Sequence, residues 1–304
     1  MIIPKEIVDW FKSIFASTNR RLSEKILNVP GIPEPHLDTT FVEHLMSFAT
    51  PRKFKGDWAI RIDTHFLGGL AQFWRWEIAD IGVFVFFQRR GQLVRQKVAL
   101  LQSKRLYPIV GDVVELEEYD YMLGMARLDA RYGPQSPILA NRLFRFTRSS
   151  AYLALQPGSE QTEHIKEFIE KRGFPVYYLF YNPPRVPLRI SVPITKYVKL
   201  RFEPVLGSRV VAAPVVFKLL DKIKQSPTLQ ELDDFLDPTE PTLHLGGWRL
   251  EYFMTDLLLA CFEGRRFTDA DAEDLSEIFE RRSGPIAATV AVTVEMPDDA
   301  QLPE

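Results

Sequence analysis

Four residues in two apolar runs could do chemistry together. Asp80 stands in Trp76-Glu77-Ile78-Ala79-Asp80-Ile81-Gly82, and Gln102-Ser103-Lys104 close the run Val98-Ala99-Leu100-Leu101-Gln102-Ser103-Lys104-Arg105. A carboxylate, an amide and an ammonium group in such company each cost desolvation unless something pairs with them. A divalent cation, Mg²⁺ or Mn²⁺, supplies a reason. A hard ion takes carboxylate and carbonyl oxygens and keeps several waters, so Asp80, the Gln102 amide oxygen and the Ser103 backbone carbonyl would make a partial octahedral site. The ion lowers the pKa of a bound water and offsets charge on a scissile phosphate, while Lys104 orients the water or steadies the developing negative charge. Phosphodiester hydrolysis is the chemistry this set suits. The plainer alternative is a buried Asp80–Lys104 ion pair with Gln102 satisfying what is left over.

Two strands must bring these groups together. Alternation and turn residues predict strands over Trp58–Asp63, Trp74–Phe87 and Leu93–Lys104, with Arg89-Arg90-Gly91-Gln92 as a hairpin turn. A three-residue turn centred on Gly91 gives opposed residues an index sum of 182, which sets Asp80 opposite Gln102 with Lys104 on the same face. A two-residue turn shifts the sum to 181 and spoils the alignment.

Around the hairpin, helical spacing predicts helices over Ile3–Ala16, Arg20–Leu27 and Thr39–Phe48, with Pro30, Pro33 and Pro35 imposing an extended connection. Phe144–Leu155 reads as strand, Glu160–Lys171 as helix and Pro175–Tyr181 as strand, followed by shorter strands at Arg189–Val192 and Tyr197–Phe202. Strand–helix–strand order implies parallel pairing with a helix packed on one face, so the class is α/β or α+β. Beyond residue 212 the chain reads as mainly helical: Pro214–Lys224, Leu229–Phe235, Trp248–Phe262 and Asp269–Arg282, the last capped by Thr268. A strand over Ile286–Val294 and a frayed acidic tail follow. The expected organisation is a helical extension over 1–35, a core over 36–212 and a helical region over 213–304 packed on that core.

Composition narrows the class of function. The 304 residues carry 38 Lys and Arg against 40 Asp and Glu, with 46% hydrophobic residues, which suits a packed globular protein and not a generic polyanion-coating one. A local basic stretch remains: Arg89, Arg90, Arg95, Lys97, Lys104 and Arg105 fall between Gln88 and Arg105, where no acidic residue occurs. Arg142, Arg145 and Arg148 form a second cluster. No apolar run is long enough to span a membrane, and the N-terminus lacks the apolar core of a signal peptide. With Cys261 as the single cysteine, no disulfide forms within the chain, and the five histidines lack zinc-site spacing. A cytoplasmic protein with no membrane association is expected.

The acidic residue on one strand and the Gln-X-Lys motif on the next resemble the PD-(D/E)XK, or restriction-endonuclease-like, superfamily, in its Gln-X-Lys variant. Asp80 and Gln102-Ser103-Lys104 are the matching residues, and Glu43 in Phe41-Val42-Glu43-His44-Leu45 matches the glutamate that many members carry on a preceding helix. Thr40-Phe41-Val42-Glu43 also fits a capping box, in which Glu43 binds its own helix end. No proline precedes Asp80, and Gln102 stands where a carboxylate is commoner. The resemblance implies a mixed-sheet core flanked by helices, with catalytic Asp80, Gln102, Lys104 and Glu43. It implies Mg²⁺ or Mn²⁺ held by Asp80, Gln102, Ser103 and Glu43, and a nuclease acting on nucleic acid, DNA before RNA, in restriction, repair or antiphage defence. The first alternative is a non-catalytic nucleic-acid-binding or scaffold subunit that keeps the fold. The second is an interaction protein, or a homo-oligomer, docking through the stripe Trp248, Leu250, Phe253, Met254 and Leu257.

Overall fold

The computed structural model describes residues 3–67, 78–110, 113–114, 142–192, 194–236, 246–268, 271 and 286–301. Helix α1 runs unbroken over Lys5–Asn28 and buries Ile7, Phe11, Phe15, Leu22 and Ile26 along one stripe. Two helices were expected there, over Ile3–Ala16 and Arg20–Leu27, with Ser17-Thr18-Asn19 left between them as an interruption. The interruption is absorbed by partners: Thr18 Oγ1 donates to Ile14 O at 2.9 Å, while Asn19 donates to Glu251 Oε2 at 2.9 Å and accepts from Ser208 N at 2.7 Å.

Helix α2 spans Glu34–Met46, with Pro33 in extended conformation at its N-cap and Pro35 in its first turn. The expected extended connection across these prolines is thus half right. A proline in the first turn forfeits only an N–H that has no helical partner, so Pro35 starts this helix instead of delaying it.

Among the described residues the strands form two sheets. In chain order they are β1 (Arg52–Lys53), β2 (Ala59–Phe66), β3 (Ala79–Arg89), β4 (Gln92–Arg105), β5 (Ile109–Val110), β6 (Val113–Val114) and β7 (Arg142–Phe146). After helix α3 (Glu160–Arg172) come β8 (Val176–Tyr181), β9 (Leu188–Val192) and β10 (Arg209–Ala212). Helices α4 (Ala213–Ile223) and α5 (Leu229–Phe235) precede β11 (Trp248–Arg249), and β12 (Arg265–Arg266) and β13 (Ile286–Met296) follow. The nine-stranded sheet runs β1-β2-β13-β3-β4-β8-β10-β11, with β12 on β4; the smaller sheet runs β6-β5-β7-β9. Parallel pairs (β13 with β3, β4 with β8) and antiparallel pairs (β2 with β13, β3 with β4, β8 with β10) make the large sheet mixed. The α/β class with a mixed sheet flanked by helices is therefore present. A parallel pair with α3 in its connection is present, but β8 pairs with β4 and not with the strand just before the helix, because β7 lies antiparallel to β5 and β9 in the smaller sheet; Ser159 caps α3 and Gly173, at φ 68°, ends it.

The expected boundary at residue 212 does not divide the sheet. Strand β13 lies between β2 and β3 with Ile286, Ala288, Val290, Val292, Val294 and Met296 buried, so the C-terminal region completes the core it was expected only to cover. Trp248–Phe262 also differs from the single helix expected. Trp248 and Arg249 pair with β10, and a helical turn at Leu250–Tyr252 continues as a wider π-type coil over Phe253–Leu259. Leu250, Phe253, Met254, Leu258 and Leu259 are fully buried, and Phe253 meets the Tyr177 ring of β8 at 4.7 Å. The stripe considered for docking is core here, apart from partly buried Trp248 and Leu257.

Three further expectations change. The strand predicted over Phe144–Leu155 stops at Phe146, where a turn closed by Ser150 N on Thr147 O at 3.1 Å takes over. Tyr197–Phe202 is irregular chain and not strand. Residues 74–77, Gly68-Gly69 and nearly all of Asp269–Arg282 lie outside the described residues.

Candidate functional site

The β3–β4 register decides whether the motif residues can meet. The hairpin turn has two residues, Arg90 and Gly91, both at positive φ (52° and 72°), as a tight primed turn requires. Arg89 pairs with Gln92 and Gln88 with Leu93, an index sum of 181; a bulge between Phe87 and Gln88 then lets Phe87 pair with Arg95, and the sum is 182 through Ile81 and Leu101. The alignment needed for Asp80 and Gln102 is reached through the bulge, not through the three-residue turn that was one of the two options.

One residue past the last ladder pair, Asp80 Oδ2 accepts from Gln102 Nε2 at 2.6 Å and from Ser103 N at 2.6 Å. Ser103 Oγ reaches the other way, donating to Asp38 Oδ1 at 2.5 Å, and the same oxygen accepts from Tyr181 Oη at 2.6 Å. Tyr181 is positioned by the parallel β4–β8 ladder, in which it is level with Arg105. Lys104, with a side chain only 5% exposed, lies 3.6 Å from Glu34 Oε2, and Glu34 Oε1 accepts from Arg105 N at 2.8 Å. The Arg105 guanidinium donates to the carbonyls of Ile32 and Pro30 and stacks 4.2 Å from the centre of the Tyr107 ring, which ties β4 to the start of α2.

The electrostatics follow from crowding carboxylates out of water. Burial lifts Asp38 well above the usual carboxylate range, Asp80 adds repulsion, and the hydroxyls of Ser103 and Tyr181 pull the other way. Asp80 is also raised by burial, against the pull of Lys104 and its hydrogen bonds to Ser103 and Gln102. Burial and the neighbouring Asp38 push the Tyr181 phenol well above its ordinary value, so it stays a donor at neutral pH. Gln102 is 1% exposed, and its Oε1 has no hydrogen-bond partner.

The structure thus brings Asp80, Gln102 and Ser103 into contact and sets Lys104 in the field of Asp80. It does not bring Glu43. That side chain is exposed on α2, and since the helix begins at Glu34 the capping-box alternative fails as well: Thr40 is in mid-helix, with Oγ1 bonded to His36 O at 2.7 Å. Glu34 and Asp38 supply α2's acids instead. Their four-residue spacing, starting directly after Pro33, carried the signal, and reading Pro33 and Pro35 as a helix start would have revealed it.

The basic hairpin is spent largely on the protein itself. Arg89 donates to Ala300 O at 2.6 Å, Arg90 pairs with Asp298, and Lys97 donates to Glu263 O. Among the described residues no three His, Cys, Asp or Glu side chains form a ready metal cluster. The oxygen set nevertheless suits Mg²⁺, which is content with one or two carboxylates plus water: Asp80 and Asp38 repel each other, and the Gln102 amide oxygen is buried without a partner. No helix among the described residues is long and apolar enough to cross a membrane. Neither a family model, nor a curated protein, nor a solved structure matches the chain.

Proposed function

We propose that the chain is a metal-dependent phosphodiesterase of nucleic acid, DNA in the first instance, in the manner of the restriction-endonuclease-like superfamily it resembles. The observation that carries the reading is the meeting of Asp80 with the Gln102-Ser103 end of β4, beside Asp38 of α2 and the Lys104–Glu34 pair. Asp80, Asp38 and the Gln102 amide oxygen would hold the ion. When bound, Mg²⁺ supplies an activated water and neutralises phosphate charge. Ser103 and Tyr181 fix the Asp38 carboxylate by donating to one oxygen, and Lys104 offers a positive charge to a developing oxyanion while Glu34 restrains its ammonium group.

One observation favours a second reading, the non-catalytic scaffold. Gln102 gives Asp80 an N–H, and Lys104 has Glu34, so the polar groups already largely satisfy one another. Incubation of the protein with linear duplex, single-stranded DNA and RNA in Mg²⁺ or Mn²⁺ separates the two. Metal-dependent product formation is expected; intact substrates throughout would leave the scaffold.

A further inference from the structure

Residues 194–206 cross the surface without strand or helix, yet their backbone is pinned to α1. Val198 N donates to Asn28 Oδ1 and Asn28 Nδ2 to Val198 O, each at 2.8 Å, and Leu200 N donates to Glu24 Oε1 at 2.8 Å. What this held backbone presents outward is unusual for a surface. Phe202 is 82% exposed, Val205 66% and Tyr197 47%. Lys196, Lys199 and Arg201 are exposed between them, and exposed Arg21 of α1 donates to Tyr197 Oη at 3.3 Å. The nearby acids are engaged: Glu24 is buried against Leu200 N, and Glu203 bonds to Arg249 at 3.0 Å.

Aromatic rings open to solvent cost free energy unless a partner covers them, and the surrounding positive charge selects a polyanion. We infer that Tyr197 and Phe202, with Arg21, Lys196, Lys199 and Arg201, bind an unpaired nucleic-acid strand, the rings stacking on bases and the cations meeting phosphates. Duplex DNA hides its base faces, so it would leave the rings uncovered. Asn28, which holds Val198, ends α1, and the short connection after it leads to Glu34 of the acidic site. Naming the bound strand as substrate rests on the phosphodiesterase reading; the binding does not.

The test is fluorescence anisotropy of the full chain in EDTA, with labelled oligothymidine and a duplex of equal length, across a NaCl series. Oligothymidine is expected to bind tighter than duplex, and Phe202→Ala and Tyr197→Ala each to weaken it about 5- to 100-fold with unchanged melting. The double change Lys199→Glu and Arg201→Glu should flatten the salt dependence. Equal binding by wild type and variants, a preference for duplex, or a dimer that Phe202→Ala dissociates would each overturn the inference. Binding that behaves as expected without cleavage of any substrate leaves the platform and removes the enzyme. Asp80-dependent cleavage with strand binding insensitive to Phe202 and Tyr197 does the reverse.

Discussion

Gln102 and Asp80 are joined across the β3–β4 ladder by a 2.6 Å hydrogen bond in which the amide donates and the carboxylate accepts. That bond leaves Gln102 Oε1 buried and unpartnered, so the pair is satisfied on one side only. Gln102→Glu should therefore lower the melting temperature in EDTA, because it replaces a donor to Asp80 with a like charge. Under the metal reading, Mg²⁺ should restore the loss and raise ion affinity above wild type. Calorimetric melts with and without the ion check both.

Asp38 gives a pH signature. Its folded-state pKa is raised, chiefly by burial and then by Asp80. In the window between the ordinary carboxylate value and that raised value the folded state binds more protons than the unfolded, so stability falls as pH rises through it. Asp38→Asn retains an acceptor for Ser103 and Tyr181 and removes the titration. Melts in chelator from pH 4 to 8 should show a decline in wild type that is reduced in the variant.

Lys104→Ala removes the cation facing Glu34 and Asp80 in a nearly dry environment. A loss of about 3–5 kcal/mol is expected from leaving buried carboxylate charge uncompensated, measurable by denaturant titration.

Glu43 and Glu34 should separate cleanly. Glu43→Ala, on the exposed side of α2, should stay within about 0.5 kcal/mol of wild type and leave any cleavage intact. Glu34→Ala should impair both stability and cleavage, since it removes the ion-pair partner of Lys104 and the acceptor of Arg105 N together. Parallel melts and cleavage assays of the two variants decide.

The hairpin, α3 and β8 were legible because alternation, a serine cap and an all-apolar run are local signals. What sequence left hidden was tertiary. The bulge after Phe87 that restores the register of Asp80 depends on packing as well as turn type. The place of β13 between β2 and β3 is a long-range pairing that no local period encodes. Asn19 survives inside α1 because Glu251 and Ser208, far along the chain, complete its hydrogen bonds. The acids of α2 were misplaced for a local reason: Pro35 was read as a break when its position in a first turn makes it a start.

The most direct measurement compares metal-dependent cleavage by wild type and Asp80→Asn at matched folded concentration. The account predicts cleavage of nucleic acid by wild type in Mg²⁺ or Mn²⁺, none in EDTA, and a loss of at least about a hundredfold in the variant, because a carboxylate ligand and its Lewis-acid ion are lost together. Equal cleavage by Asp80→Asn, or none by wild type on any nucleic acid with either ion, would contradict it.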